Sequence, residues 1–440
     1  MEFVAAIGLI IGIAVMIVLT FRGHHIFVGS LTGGAIVILT NRINAVMALT
    51  EGYLTSMAGF VQSFLFMFLF GAILGQFMSE SGAAKAIAYK VIDIFGKSRA
   101  ILILVLVTAV LTYGGVSVFV VIFSVYPIAL YLFKEAEIPK RLIPGCVNLG
   151  GGTFTMTCLP GTPALTNVIP TQYLGTTTTA APVLGIICGI TMFTLGMFYL
   201  TWEARRLKGR GLGFVPGEGE VVGSVSEEER KTLPSFALSV LPILIIFITN
   251  VSGPIFLGLN ANFSVSLGLL LAVFYCYLVF RNRYTDVKGM VTKGSQGAIM
   301  ALVNTAAIVG FGGIVKVAPA FESFVNMAAG LPFSPIVSMI LGVNIVAGIT
   351  GSSSGGLTIF YNTMAEKFMA ENINIQVFHR ISSIAAGCLD SLPHAGPNIT
   401  ILNVTKLTYA EGYYPVFVIT CVIPLITVTL ATILATMGVV

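Results

Sequence analysis

The chain has 440 residues, 56% of them hydrophobic and 9% charged, against about 25% charged for an ordinary soluble domain. Apolar runs of roughly 20 residues, enough to cross ~30 Å of hydrocarbon, recur from one end to the other and leave no room for a separate soluble domain. A polytopic, all-α membrane protein is expected, and the net charge of +5 then reports where the loops lie and is no sign of a nucleic-acid partner.

The first segment, near 3–21, follows M-E-F-V-A-A-I-G without a basic leader region or a small-residue cleavage site. It reads as a first span and not as a removable signal. His24 and His25, beside Arg22, are expected at the interface. Segments near 26–40 and 54–78 follow, then Lys85, Lys90 and Asp93 on a short amphipathic stretch of interfacial type. Segment 99–132 is too long for one span and too short for two with a loop. Its middle reads Tyr113-Gly114-Gly115-Val116-Ser117, so it reads as a re-entrant hairpin with a glycine tip, where bare backbone can approach a ligand. Segment 142–170 is broken at Thr157-Cys158-Leu159-Pro160-Gly161-Thr162-Pro163-Ala164-Leu165-Thr166-Asn167. Segment 179–202 closes a first half, and the charged stretch 203–233 is the linker.

The second half, 234–440, has apolar segments near 234–250, 255–280, 289–314, 333–364, 378–405 and 412–438. Segment 333–364 is the second hairpin, with T-G-S-S-S-G-G-L-T-I-F from Thr350 to Phe360. Segment 378–405 is broken at Asp390-Ser391-Leu392-Pro393-His394-Ala395-Gly396-Pro397-Asn398. Starts at 54 and 289 are 235 apart, and those at 99 and 333 are 234 apart. Leu159-Pro160 with Pro163 and Thr166 matches Leu392-Pro393 with Pro397 and Thr400. An internal duplication follows, a hallmark of secondary transporters.

With two hairpins that do not cross, each half has five spans. Five is odd, so the second half is inverted: ten transmembrane helices plus two re-entrant hairpins. This arrangement puts 19 of the 23 lysines and arginines on one side, which is then cytoplasmic, linker included. Both termini face the other way.

The hairpin tips and the two proline-broken spans supply polar groups at membrane depth. Irregular backbone is tolerated there only inside protein or along a cavity. Proline frees carbonyls, and half-helix N-termini suit a carboxylate. Candidate substrate contacts are Ser352, Ser353, Ser354, Gly355, Gly161, Thr162, Asn167, His394 and Asn398. Asp390 and His394 lie in an otherwise neutral stretch. An intramembrane ionisable group suggests function, here proton coupling, with a mutual pair capping the broken helix as the other reading. His379-Arg380 is expected as an outer anchor, so that no lysine or arginine reaches the site. The six cysteines (Cys146, Cys158, Cys188, Cys276, Cys388, Cys421) form no Cys-x-x-Cys pair and are expected as buried thiols, with no metal or cofactor. Ser353, Asp390 and His394 also occur in hydrolase order, and Gly351 to Gly355 reads Gly-x-Ser-x-Gly. That reading needs a strand before the serine and gives no reason for the duplication, so an enzyme is not expected.

The run from Gly152 to Thr171, G-T-F-T-M-T-C-L-P-G-T-P-A-L-T-N-V-I-P-T, together with G-S-S-S-G-G-L and L-D-S-L-P-H-A-G, resembles the gluconate permease (GntP) family of the ion transporter superfamily. The resemblance implies proton-coupled uptake of hydroxy-carboxylates across a bacterial inner membrane, by a homodimer with a scaffold domain and a mobile elevator domain. It places the substrate between Ser352–Ser354, Thr162, Asn167 and the Asp390–His394 break. Ala164-Leu165-Thr166 stands where a gluconate carrier is expected to be more polar, which favours a shorter acid such as 3-hydroxybutyrate. Sodium coupling, with Gly150–Thr155 and Ser352–Ser354 as oxygen donors, is the rival within the class.

Overall fold

A computed structural model describes residues 2–22, 24–113, 116, 118–162, 164–217, 220, 227–259, 261–321, 323, 333–369 and 373–440. Among these the regular structure is helical and no strand occurs. Seven helices are long and apolar enough to cross a membrane, or eight if one bent pair is a single span. Shorter apolar helices, among them Ile26–Asn41 and Pro335–Thr350, lie between these. The expected ten is therefore not reached on length alone, because both broken segments divide into pieces too short to qualify.

One body contains α1 (Glu2–Phe21), α2 (Ile26–Asn41) and α3 (Ala45–Glu80). α3 starts at Ala45, well before the expected 54, because a π turn at Ala48–Leu54 carries the helix through Thr50 and Glu51. Such a turn absorbs one extra residue without ending the helix. α4 (Ala83–Phe95) is the amphipathic stretch, with Ala84, Ile87 and Ala88 buried and Lys90 exposed. A bend of 107° separates it from the helix that follows.

That helix is α5 (Ala100–Tyr113), and α6 (Val118–Glu135) packs back against it. These are the two arms of the first hairpin. Gly114, Gly115 and Ser117 of its tip lie outside the described residues. α6 has 18 residues and is by itself long enough to span, so length does not tell this arm from a crossing. The first broken segment is α7 (Ile143–Gly151), one short turn α8 (Phe154–Thr157), and α9 (Leu165–Leu174) after the break. α10 (Pro182–Gly209) starts on Pro182, whose missing N–H costs nothing at a helix N-terminus.

The linker folds back on the first half. Glu220 accepts from Lys140 Nζ at 2.6 Å and from the Gly217 N–H at 2.7 Å, and bonds the Tyr126 hydroxyl. Burial pulls the Lys140 ammonium below the ordinary lysine range, and the Glu220 carboxylate opposes that shift. α11 (Phe236–Leu257) runs seven residues past the expected end at 250 and packs on α12 (Ala261–Phe280).

α13 (Val287–Lys316) is capped by Asp286, whose carboxylate accepts the Gly289 N–H at 2.8 Å. α13 lies along α3, and both contact α12 or α2, which completes the first body. The second hairpin is α14 (Pro335–Thr350) and α15 (Ser353–Thr363), packed on each other. The second broken segment is α16 (Ile375–Ala386) and α17 (Gly396–Thr405). α18 (Tyr409–Thr436) follows, with a π turn at Val418–Val422. α5 and α14 begin 235 residues apart, as do α6 and α15.

The hairpins, the broken segments, α10 and α18 form the second body. Phenylalanines join the two bodies: Phe60, Phe64 and Phe68 of α3 pack on Phe119 and Phe123 of α6 at centroid separations of 5.0–5.7 Å. Between α13 and α17, the Thr305 and Thr400 hydroxyls share a buried hydrogen bond of 2.9 Å. All six cysteines are buried.

Candidate functional site

The second hairpin turns at Gly351, which ends α14 with φ at 59°. L-residues other than glycine avoid that region. Ser352 then caps α15, its hydroxyl accepting the Gly355 N–H at 3.1 Å. The Gly-x-Ser-x-Gly pattern is thus a helix–turn–helix tip, where a hydrolase elbow joins a strand to a helix. Ser352, Ser353, Ser354 and Gly355 are half-buried at the first turn of α15, where free N–H groups and the helix dipole favour negative charge.

The tip seats on the second break. A Cβ at Gly351 would lie 2.8 Å from His394 Cδ2. The Ser353 hydroxyl faces the Asp390 carboxylate, which also accepts from Ser391 Oγ at 2.9 Å. The loop between α16 and α17 is held from behind. Tyr409 donates to Pro393 O at 2.7 Å, Tyr413 to Ser391 O at 3.0 Å, and Asn398 Nδ2 to Ser391 O at 2.7 Å. Asp390 and Ser391 stay half-buried while His394 and Asn398 are buried. Asn398 Oδ1 and both His394 ring nitrogens have no hydrogen-bond partner among the described residues. Neither an Asp390–His394 cap nor a Ser353–Asp390–His394 triad is therefore assembled.

The first broken segment has a different outcome. Tyr113, at the end of α5, donates to Pro160 O at 3.0 Å, so this hairpin also reaches the break of its own half. Asn167 clamps the loop before α9, its Nδ2 donating to Thr162 O and Thr178 O, each at 2.8 Å. Thr162 is buried, and its hydroxyl accepts the Ala164 N–H at 3.3 Å. Gly161 is exposed, and Pro163 lies outside the described residues. Asn167 thus has both amide groups bonded around its loop, while the Thr162 hydroxyl accepts one backbone N–H there.

The His379–Arg380 expectation is corrected here. Both side chains are fully buried. His379 Nε2 donates to Asn167 Oδ1 at 3.1 Å, and its Nδ1 bonds the Thr176 hydroxyl at 2.7 Å. Arg380 donates to Asn167 Oδ1 at 2.9 Å, to Ala180 O at 2.8 Å and to Thr178 O at 3.2 Å. An arginine therefore does reach the first break. Charged residues at the start of an apolar segment ordinarily lie at the surface, but α16 begins earlier, at Ile375, and is capped by Asn374. That places Arg380 well inside the helix, with the first break packed against it.

The two breaks also meet each other. A Cβ at Gly387 would lie 2.8 Å from Thr157 Cγ2, and Ser383 Oγ donates to Thr166 O at 2.8 Å. Two surface clefts lie elsewhere. One of about 540 Å³ is lined by Lys134, Glu137, Lys208 and Phe214, and one of about 500 Å³ by His25, Phe27, Gln296 and Met300.

The family described as GntP family permease matches residues 4–387. The chain belongs to that family. It is 37% identical over 423 residues to the uncharacterised transporter YxjC of Bacillus subtilis, covering 88% of this chain and 89% of that protein. An uncharacterised transporter of Haemophilus influenzae is 26% identical over 329 residues, 74% of each chain. An uncharacterised permease of the same organism is 25% identical over 379 residues, 79% of this chain and 75% of that one. This GntP permease is a multi-pass membrane transporter.

Proposed function

We propose that this GntP permease is a secondary active transporter that carries a small hydroxy-monocarboxylate, 3-hydroxybutyrate or a gluconate-like acid, together with a proton. The observation that carries the reading is the seating of the α15 N-terminus on the Asp390 loop. Hydroxyls and N–H groups there can hold one carboxylate, and the hydroxyls can also meet a substrate hydroxyl. The contacts assigned to the substrate are Ser352, Ser353, Ser354 and Gly355, with His394 and Asn398 behind them and Gly161 at the rim. Asp390 takes the proton, and His394 is held as a second carrier. Thr162 and Asn167 act by shaping their loop.

Inverted repeats, 1–202 and 234–440, are supported by the offset of 235 residues between the hairpins. The division into two bodies joined by a phenylalanine face fits an elevator. The body of α1–α3 and α11–α13 is the scaffold and dimer face; the hairpins, the broken spans, α10 and α18 move. α10 and α18 go with the moving body because they pack on each other and on α7 or α16. The natural setting is an inner membrane with both termini outside. Sodium coupling is the second reading, supported by the buried Asn398 Oδ1, which has no partner among the described residues.

The test is uptake into proteoliposomes of radiolabelled 3-hydroxybutyrate and gluconate under a pH gradient, a sodium gradient or neither. Accumulation driven by the pH gradient and abolished by Ser353→Ala is expected. Accumulation only with a sodium gradient would move the coupling to sodium. No accumulation of either acid under any gradient would remove the substrate assignment.

A further inference from the structure

The cleft of about 500 Å³ lies between the start of α2 and one face of α13, where Gln296, Met300, Val303 and Asn304 line it with His25 and Phe27. Its volume is within the ~300–1,000 Å³ of small-molecule sites. The middle of α13 falls between Ala301 and Leu302. Gln296 and Asn304 therefore sit roughly 8 Å and 4 Å from that middle along the axis, both at hydrocarbon depth. Gln296 is exposed and Asn304 half-buried, and neither side-chain amide has a partner among the described residues. An amide left in lipid is costly, whereas water in a cleft satisfies it. Lys288 and Lys293 open α13, and Arg22 stands near His25, so the cleft runs inward from the side that the positive-inside rule makes cytoplasmic.

The cleft also lies at the seam of the two bodies. Thr305, next to Asn304, bonds Thr400 of α17 and faces Gly396, where a Cβ would lie 3.1 Å from its Cγ2. Phe21, just before His25 in the chain, packs on Tyr409 and Tyr413 of α18 at centroid separations of 5.3 and 5.9 Å. Those tyrosines hold Pro393 O and Ser391 O. Both contacts thus lead to the loop that carries Asp390, which stays half-buried at Ser391 and Pro393. The described lining holds no Asp or Glu to repel an anion and no Lys or Arg to trap one.

Resting on the transport of a small acid proposed above, we propose that this cleft is the water-filled cytoplasmic vestibule of the carrier, along which the acid leaves the Asp390 loop. Gln296 and Asn304 line the path from the scaffold. Each amide offers an N–H to a carboxylate and a carbonyl oxygen to a hydroxyl, so a hydroxy-acid exchanges water for them at little cost. Met300 and Val303 between them offer no polar group, and the acid is not held. A cleft filled by lipid is the competing arrangement, and it leaves both amides unsatisfied.

The experiment separates water from lipid in membrane vesicles of either orientation that carry the full chain. Single cysteines are introduced as Gln296→Cys and Asn304→Cys, with Ile190→Cys, at an exposed apolar position of α10, as the lipid control. The six native thiols are buried, so the wild type gives the background. The probe is a membrane-impermeant, sulfonated methanethiosulfonate. Only a thiolate reacts, and it forms in water and not in hydrocarbon. Both cleft cysteines should therefore be labelled about ten-fold or more faster than Ile190→Cys in inside-out vesicles, and slowly in right-side-out ones. Labelling from inside should also stop the uptake that each cleft variant shows beforehand, because a charged adduct fills the path. Rates equal to that of Ile190→Cys in inside-out vesicles overturn the proposal, as does fast labelling only in right-side-out vesicles, or uptake unchanged after complete labelling. If Asn304→Cys does not fold, Gln296→Cys decides alone. Labelling needs no transported acid, so a carrier that accumulates neither 3-hydroxybutyrate nor gluconate but labels as expected loses the substrate assignment and keeps the vestibule.

Discussion

Single positions decide how tightly the hairpin tip closes on the Asp390 loop. Gly351 carries two constraints, a left-handed backbone and contact with the His394 ring. Gly351→Val is expected to cost at least about 1–2 kcal/mol from the backbone alone and to displace His394. A lowered melting temperature in detergent together with lost uptake would show both, and unchanged melting would mean the tip does not turn there. The two break asparagines should separate stability from function. Asn167 has both amide groups fully bonded, whereas Asn398 has a buried oxygen with no partner among the described residues. Leaving buried donors and acceptors unpaired costs about 1–3 kcal/mol each, so Asn167→Ala should lower the melting temperature more than Asn398→Ala. Asn398→Ala should chiefly reduce uptake. The reverse order would place the free ligand-facing group in the first half.

The helices show how far local pattern reaches. The interruptions near 158–164, 351–352 and 387–395 were legible from sequence, because runs of glycine, proline and serine inside an apolar segment interrupt a helix wherever they fall. Boundaries were less so. The expected start at 54 gave way to Ala45 because a π turn absorbs polar residues that look like a loop. The end at 250 gave way to Leu257: the helix runs on through Gly253 and Pro254 and stops at Gly258, whose left-handed φ of 62° closes it. The larger miss was Arg380. Its helix reads as a span with charges at its start, and only its packing against the first break shows that those charges are inside. The one sequence clue was that Arg380 and Asp390 are the sole charges between 375 and 405.

For the molecule as a whole, the proposed elevator puts the movement at the contact between the two bodies. The Thr305–Thr400 bond bridges α13 and α17 within it. A single Thr305→Val leaves the other hydroxyl with one partner fewer and should cost about 1 kcal/mol, while the double Val variant should be nearer neutral. If the bodies slide, the double variant changes maximal uptake rate and leaves the KM for the acid in place. A change confined to KM would tie this bond to the binding site instead.

Composition by itself determined that the chain crosses a membrane, since a chain with 9% charge cannot cover its surface for water. Helix-breaking residues by themselves located the breaks between α8 and α9 and between α16 and α17 and the turn at Gly351, because such residues at membrane depth need a reason. What remained for the tertiary structure was which polar groups are free and which are consumed. Hydrogen-bond partners of Asn167, His379 and Arg380 come from segments up to 223 residues away, and no local pattern encodes them.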